Sequence, residues 1–288
     1  MQLIDTHCHI HELVKDLTPV HATWFADGVH RTPEQVIAAA QAQGVAGMIC
    51  IGTSLVDSQL AVSFAEQHQG IWATVAIHPH ETSKHNLTEV KNALTPLLRV
   101  KPLESKIVGI GECGLDYYYG HSARSDQIAF LRTHLELALQ FNLPLSFHVR
   151  GVSDDSTKDA FRDFWPIFDE YNAKKPLRGV LHSFTDTQEN MREAIDRGLY
   201  IGVNGIATFA KSEEQRTMYR AIPTESLVLE TDAPFLTPAP FRGKICEPKH
   251  VANTLVFLAD LRGQSQEAIA KATSENAQQL FGIEAKDL

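Results

Sequence analysis

The stretch Leu3-Ile4-Asp5-Thr6-His7-Cys8-His9 decides the fold class. It begins as a short apolar run, which predicts the first strand, and it ends in polar residues. An open doubly wound sheet usually carries a glycine-rich loop directly after its first strand. This chain has two histidines there, so the stretch weighs against that alternative. It favours a barrel whose strand ends bear functional side chains.

From this first strand onward, apolar runs alternate with helical patterns along the chain. Eight runs of strand type occur, at residues 3–10, 45–51, 71–77, 107–111, 144–149, 179–182, 200–203 and 227–230. Helical patterns follow them, at 32–44, 55–67, 87–99, 125–141, 157–171, 188–197, 213–221, 249–261 and 266–280, and residues 11–31 are predicted as a loop. Eight alternating units predict a (β/α)8 TIM barrel that forms one domain over residues 1–288.

The composition is that of a globular, acidic protein. The 288 residues include 26 lysines and arginines and 35 aspartates and glutamates, which gives a net charge of −9. An extended basic face that grips nucleic acid through many phosphates is therefore not expected, and an anionic substrate must be held by a local site. Fourteen histidines are many for this length, so a metal site is the first function to test.

The N-terminal residues and the cysteines predict a cytoplasmic protein without a membrane segment. The first residues contain neither a basic region nor an apolar core of the kind a signal peptide needs. No apolar run is long enough to cross a bilayer. The four cysteines lie far apart and form no C-x-x-C pair, which favours a reducing compartment over a disulfide framework.

Histidines and carboxylates follow five of the predicted strands. In a (β/α)8 barrel, the carboxyl ends of the strands meet at one rim, which carries the functional side chains. The residues at these ends are His7, His9, Glu112, His148, His182 and Asp232. Four imidazoles and two carboxylates can hold two divalent ions with one carboxylate between them, and this donor set suits zinc, manganese or magnesium. Two such ions can activate a water and stabilise a displacement reaction.

The remaining histidines are interpreted as unrelated to the metal. Seven fall in predicted loops or helices and are expected at the surface: His21, His30, His68, His85, His121, His134 and His250. His11 lies too far along the first loop to be placed. His78 and His80 follow the third strand, where they either contact the substrate or stabilise the turn.

Several separate motifs resemble those of one known family, the TatD-type metal-dependent hydrolases of the amidohydrolase-like barrels. The motifs are Asp5-Thr6-His7-Cys8-His9, Ile77-His78-Pro79-His80, Gly111-Glu112-Cys113-Gly114-Leu115-Asp116-Tyr117-Tyr118-Tyr119, Phe147-His148-Val149-Arg150, Glu230-Thr231-Asp232-Ala233-Pro234-Phe235-Leu236, Arg242-Gly243-Lys244 and Glu247-Pro248. The resemblance runs from the N-terminus to about Gly282. It implies a two-metal barrel that hydrolyses phosphodiester bonds, typically as a 3′→5′ exonuclease or DNase.

The resemblance also implies roles for individual residues. His7, His9, Glu112 and Asp232 correspond to the ligands of one ion, and Glu112, His148 and His182 to those of the other, with Glu112 as the bridge. Asp232 accepts a proton from the attacking water. Arg150 and His80 are expected to bind the substrate, and Arg242 and Lys244 either contact the nucleic-acid backbone or are two solvated charges on a loop. A monomer is favoured.

Two functions other than phosphodiester hydrolysis stay open at this point, and so does the role of the first loop. The same metals and ligands serve small-molecule amidohydrolases and esterases, whose specificity lies in the loops. A noncatalytic binding barrel is the third possibility, and the complete ligand set weighs against it. The long first loop, residues 11–31, carries Trp24 and Phe25 and is either a cap over the site or an excursion on the surface.

Overall fold

The structure is a computed structural model that describes residues 2–99, 105–152 and 155–288. Eight parallel strands form one sheet in the order of the sequence: β1 (Leu3–Cys8), β2 (Val45–Ile51), β3 (Ile71–Val75), β4 (Ile107–Asp116), β5 (Leu145–Arg150), β6 (Gly179–Leu181), β7 (Tyr200–Val203) and β8 (Leu227–Leu229). A parallel bridge between Cys8 and Ala233 joins the two ends of this sheet. The predicted (β/α)8 barrel is therefore confirmed.

In the part of the chain that the structure describes, ten helices pack around the strands: α1 (Pro19–Trp24), α2 (Pro33–Ala42), α3 (Leu55–Gln67), α4 (Leu87–Leu98), α5 (Arg124–Phe141), α6 (Ala160–Asn172), α7 (Gln188–Asp196), α8 (Glu213–Ala221), α9 (Val251–Arg262) and α10 (Gln266–Phe281). The predicted capping box of α2 is present, since Thr32 and Gln35 exchange hydrogen bonds. Helix α1 is a correction, because the sequence predicted a loop there. Its six residues are too few to show a helical period, although Thr18 accepts a hydrogen bond from the Val20 N–H as its cap.

The strand side chains form two apolar layers. One lies between the sheet and the helices. The other fills the lower interior of the barrel, where Ile4, Ile49, Val108 and Val228 pack against Phe281 of α10. Burial of each such side chain contributes roughly 1.5–3 kcal/mol. The lower interior of the barrel is thus largely apolar, and the histidines and carboxylates of the candidate site lie at the carboxyl-terminal rim.

Strand β4 is longer than the sequence predicted, because its pairing with β5 continues to Asp116 opposite Arg150. The predicted strand ended at Gly111. Gly114 permits the extension: a Cβ atom there would lie 1.8 Å from the His148 carbonyl oxygen. Glu112 therefore projects from within a strand, and the polar end of β4 comes four residues later.

Two further features bear on the cellular predictions. All four cysteines are buried free thiols. Within residues 2–99, 105–152 and 155–288, no helix combines the length and the apolar character that crossing a membrane requires.

Candidate metal centre

The structure brings the six predicted ligands together at the carboxyl-terminal rim. His7 is the last but one residue of β1, and His9 follows that strand. The others are carried by β4, β5, and the segments after β6 and β8: Glu112, His148, His182 and Asp232. His7 is fully buried, and Glu112 is only 4% exposed. The cluster therefore lies in a largely desolvated depression at the top of the barrel.

One half of the cluster surrounds Asp232. Its Oδ1 atom lies 3.4 Å from His7 Nε2 and 3.4 Å from His9 Nε2. His7 Nε2 is also 3.4 Å from Glu112 Oε2. These three distances exceed those of good hydrogen bonds. Ligands held at about 2.1 Å from a tetrahedral ion stand about 3.4 Å from each other, so the spacing fits a shared cation.

The other half faces the second oxygen of Glu112. Oε1 lies 3.0 Å from His182 Nε2 and 2.6 Å from His148 Nδ1. His78 Nε2 is 3.5 Å from the same oxygen. Glu112 thus presents Oε2 to one group of histidines and Oε1 to another.

Three of the four predicted histidine ligands have their outer ring nitrogen engaged by an acceptor. His9 Nδ1 donates to the Ile51 carbonyl oxygen at 3.0 Å, His148 Nε2 to Asp116 at 2.8 Å, and His182 Nδ1 to Glu230 at 3.2 Å. An acceptor at one nitrogen fixes the tautomer and leaves the lone pair of the other nitrogen for a metal. This arrangement is typical of metal-ligating histidines.

A buried orphan atom supports the same interpretation. His7 Nε2 has no hydrogen-bond partner although it is fully buried. Such an atom costs free energy unless something binds it. The residues present therefore fit divalent cations. Among the described residues, four groups of donors could hold one, and three of them belong to this cluster: His7, His9 and Asp232; His7, Glu112 and His182; and His78, His80 and His148. The fourth group is His11, Glu12 and Asp57.

The electrostatics of the cluster follow from burying carboxylates among imidazoles. Burial favours the neutral form of Glu112, but the neighbouring His182 and His78 outweigh it and hold the pKa of Glu112 well below its usual value. Burial also opposes protonation of His148, yet its hydrogen bonds to Asp116 and Glu112 raise its pKa to about 9. Without a cation, Glu112 is thus paired with protonated His148 and His182, and a cation that binds these two histidines displaces their protons.

Sequence reasoning missed two carboxylates that orient the histidines. Asp116 accepts from His148 and, at 2.9 Å, from His80 Nε2. Glu230 accepts from His182 and, at 2.6 Å, from the backbone N–H of Ser183. The available signal was their position, since Asp116 ends β4 and Glu230 follows β8, at the same rim as the histidines that they support.

Of the two roles that the sequence left open for the histidines after β3, the structure shows stabilisation of the turn, and it also places His78 at the cluster. His78 Nδ1 accepts a hydrogen bond from the His80 backbone N–H at 3.1 Å, which stabilises the turn. Its other nitrogen faces Glu112, as described above. His80 is bound to Asp116 and packs edge-on against the His78 ring, with 4.4 Å between the centroids.

The predicted substrate-binding cations lie at the surface. The Arg150 guanidinium covers the rings of Tyr118 and Tyr119, at 4.2 and 5.0 Å from their centroids. Arg242 lies over the Phe209 ring at 5.2 Å. The side chain of Lys244 is exposed. None of these cations is part of the metal cluster.

Two of the seven histidines expected at the surface are buried. His134 is fully buried, and its Nε2 accepts the Ile77 N–H at 3.2 Å. His250 is 7% exposed and accepts the Glu247 N–H through Nδ1 at 2.9 Å. Both serve as internal hydrogen-bond acceptors for the backbone, a role that sequence spacing does not reveal.

The first loop is anchored beneath the cluster. Trp24 is fully buried, and its indole N–H donates to the His9 carbonyl oxygen at 3.1 Å. His11, which the sequence could not place, is fully buried and donates through Nε2 to Asp57 Oδ1 at 2.9 Å. Glu12 lies beside this pair and accepts from the Thr18 hydroxyl at 2.5 Å. The loop thus supports the backbone of a predicted ligand from below.

A (β/α)8 barrel with such histidines and carboxylates at its carboxyl-terminal rim defines the class of metal-dependent hydrolases. The family model for TatD related DNases matches residues 4–282, and the chain belongs to that family.

Individual relatives agree with this assignment. The 3′-5′ ssDNA/RNA exonuclease TatD of Citrobacter koseri is 36% identical over 255 residues, which cover 87% of this chain and 93% of that protein. A metal-dependent hydrolase of Bacillus subtilis, YabD, is 32% identical over 98% of this chain and 99% of its own length. The crystal structure of YjjV, a TatD homolog of Escherichia coli, superposes with a TM-score of 0.82 at 26% identity, over 98% of each chain.

Proposed function

We propose that this chain removes nucleotides from the 3′ end of single-stranded nucleic acid by hydrolysing phosphodiester bonds. Membership of a family of metal-dependent nucleases supports this proposal, as do curated relatives named as 3′-5′ ssDNA/RNA exonucleases at 33–36% identity. The alternative of a small-molecule amidohydrolase or esterase is not favoured, and neither is a noncatalytic barrel.

The orientation of Glu112 is the single observation that carries the two-metal part of the proposal. Its Oε2 faces His7, and its Oε1 faces His182 and His148. We assign one cation to His7, His9, Asp232 and Glu112, and the other to Glu112, His148 and His182. Mixed imidazole and carboxylate donors suit zinc or manganese, and magnesium is the third candidate. Divalent cations bound there would stabilise charge on phosphoryl oxygens and acidify a water molecule.

The side chains of this protein supply the remaining steps. The Asp232 side chain is 16% exposed and that of Glu112 is 5% exposed, so Asp232 is the carboxylate that a water can reach. Asp232 accepts a proton from the water whose oxygen bonds to phosphorus, the bond from phosphorus to the leaving sugar oxygen breaks, and that oxygen takes up a proton from solvent to leave as a hydroxyl group. Arg150 stands at the end of β5, two residues beyond His148, where its guanidinium can hold a phosphate. Asp116 and Glu230 keep His148 and His182 in position.

Replacement of one predicted ligand tests the assignment. His148→Ala should lower the metal content of the purified protein by about one ion per chain and should lower exonuclease activity at least about 100-fold. His30→Ala is the matched control, because His30 is exposed and belongs to none of the groups of donors that could hold a cation. Unchanged metal stoichiometry in His148→Ala would remove this residue from the ligand set.

A substrate panel tests the activity itself. Metal-free protein, reloaded in turn with manganese, magnesium and zinc, is given single-stranded and duplex oligonucleotides labelled at either end, together with lactones and cyclic amides. We expect shortening from the 3′ end of single strands with at least one metal. Hydrolysis of only the lactones or amides would contradict the proposal.

We further propose that the enzyme acts as a monomer in the reducing cytoplasm. One chain supplies all six predicted ligands, so no second copy is needed to complete the centre. Four buried free thiols suit a reducing compartment. Size-exclusion chromatography with light scattering checks the first statement, and a dimer mass would contradict it.

A further inference from the structure

Two tyrosines next to the metal cluster expose half of their surface. Tyr118 is 50% exposed and Tyr119 is 52% exposed. They lie two and three residues beyond Asp116, the last residue of the strand that carries Glu112. Large rings left partly in water at the rim of a site are frequently used for binding. Nothing in the roles assigned above uses them.

The tyrosines are held in place by the carboxylate that orients a predicted ligand. Asp116 Oδ1 accepts the backbone N–H groups of Tyr118 and Tyr119, both at 3.0 Å. Its other oxygen accepts from His148 and His80. The position of the two rings relative to the cluster is therefore fixed by one buried side chain, which a mobile surface loop would not provide.

The rings form a continuous aromatic and cationic surface. Tyr118 and Tyr119 meet edge-on, with 4.8 Å between the centroids. Tyr119 stacks on His121 at 5.6 Å and meets the His80 ring at 5.4 Å. The Arg150 guanidinium lies over both tyrosines, as described above. This combination offers π-faces for bases and a positive charge for the phosphate between them.

We propose that Tyr118 and Tyr119, with Arg150, form a stacking platform for the bases that flank the scissile phosphate. The inference rests on the function proposed above and specifies how that site selects its substrate. In a duplex, each base is paired and stacked on its neighbours, so it cannot lie on a protein ring without first being extruded. The platform therefore selects single strands, and it accepts any sequence because every base has a π-face.

The experiment compares rings with aliphatic side chains in the metal-loaded enzyme. The double variant Tyr118→Leu/Tyr119→Leu should raise the KM for a single-stranded oligonucleotide roughly 5- to 100-fold. Its kcat should change by less than about threefold, because the cluster is untouched. The matched control Tyr118→Phe/Tyr119→Phe keeps both rings and should behave as the wild type does. Metal content and the melting temperature of each variant check that the fold is intact.

A substrate without bases isolates stacking from other effects. An oligonucleotide whose two 3′-terminal residues are abasic should have a high KM with the wild-type enzyme, and the leucine variant should not raise it further. A second readout needs no turnover: 2-aminopurine at the 3′ end of a phosphorothioate-linked strand should be quenched on binding to the wild type and not to the leucine variant. Equal KM values of the wild type and the leucine variant on the normal strand would overturn the platform.

The outcomes separate this inference from the proposed function. If the wild type cleaves oligonucleotides and the leucine variant binds them equally well, the platform is wrong and the nuclease assignment stands. If the wild type quenches 2-aminopurine through its tyrosines but cleaves only other esters, the binding surface stands and the nuclease assignment fails. If the wild type neither cleaves nor binds the strand, both are wrong.

Discussion

Asp57→Asn tests whether the first loop is held under the metal cluster by a buried ion pair. Asp57 and His11 are both fully buried, and His11 Nε2 is 2.9 Å from Asp57 Oδ1. The other oxygen of Asp57 accepts the N–H and the hydroxyl of Thr53 at 2.7 and 2.8 Å. Asparagine has nearly the same shape, but it keeps only one oxygen for these three donors. If that oxygen accepts from both groups of Thr53, the ring N–H of His11 faces the amide NH2 group and has no acceptor.

The magnitude follows from this arrangement. Removal of one partner from a buried ion pair leaves the other charge uncompensated, which typically costs about 3–5 kcal/mol. Domains have total stabilities of about 5–15 kcal/mol, so the variant loses a large part of its stability. For a chain of this size, each kcal/mol corresponds to about 2–4 °C in melting temperature, so the expected loss is roughly 6–20 °C.

The pH dependence of the loss identifies its origin. Burial opposes protonation of His11, but the Asp57 charge outweighs it and raises the pKa of His11 from 6.5 to about 10. A raised pKa contributes stability that is complete below 6.5 and is lost as the pH rises through about 10. Burial alone would raise the pKa of Asp57, but His11 holds it below its ordinary 3.8, so the contribution of Asp57 is lost as the pH falls below that value. The difference in free energy of unfolding between wild type and variant should therefore be largest between about pH 3.8 and 6.5, and it should shrink as the pH rises toward 10.

Urea denaturation of both proteins at pH 5.5 and 9.5 measures these differences. Glu170→Gln is the control, because it removes a carboxylate from exposed ion pairs with Arg132 and Lys174 and should barely move the midpoint. Glu12→Gln combined with Asp57→Asn removes both carboxylates near His11 and should be less stable than either single variant. A loss below about 1 kcal/mol for Asp57→Asn, or one equal at both pH values, would refute the buried ion pair.

Two further predictions concern the cluster itself. Glu230→Gln weakens the acceptor behind His182 and should reduce metal affinity roughly 10- to 100-fold in a competitive chelator titration, with unchanged affinity arguing against the orienting role. Metal uptake should release protons near pH 7, because the pKa of His148 is about 9 in the metal-free protein. Isothermal titration calorimetry in buffers of different ionisation enthalpy measures the number of protons released per metal ion bound. Uptake without proton release would show that the histidine is already neutral.

The sequence predicted the barrel and the ligands because both depend on local patterns. Strands β2 and β7 have the predicted bounds, since their apolar runs end where pairing ends. His7, Glu112 and Asp232 could be grouped because the carboxyl ends of parallel strands meet at one rim. Neither the strand bounds nor the grouping of these residues at one rim depends on how the side chains pack.

The remaining features depend on contacts between distant segments. His134 looks like a surface residue of a helix, and only its contact with Ile77 shows that it is internal. Asp116 contacts a histidine on the neighbouring strand β5, and Glu230, after β8, contacts a histidine that follows β6, at separations of 32 and 48 residues. A sequence pattern gives the strand end on which a side chain lies, but it does not give the atom that the side chain will meet.

The contacts at the rim explain how a protein with a net charge of −9 could bind a polyanion. The acidic residues at the rim, Glu112 and Asp232 above all, are compensated in the metal-free protein by protonated histidines and in the proposed active state by cations. The negative charge of the whole protein repels a polyanion, which meets concentrated positive charge at Arg150 and, once cations are bound, at the cluster. Because this electrostatic attraction is local, it adds little binding free energy where the phosphate backbone crosses the rest of the protein surface. Base stacking on Tyr118 and Tyr119, which depends little on charge, is the contribution by which an acidic protein of this shape can hold a single strand.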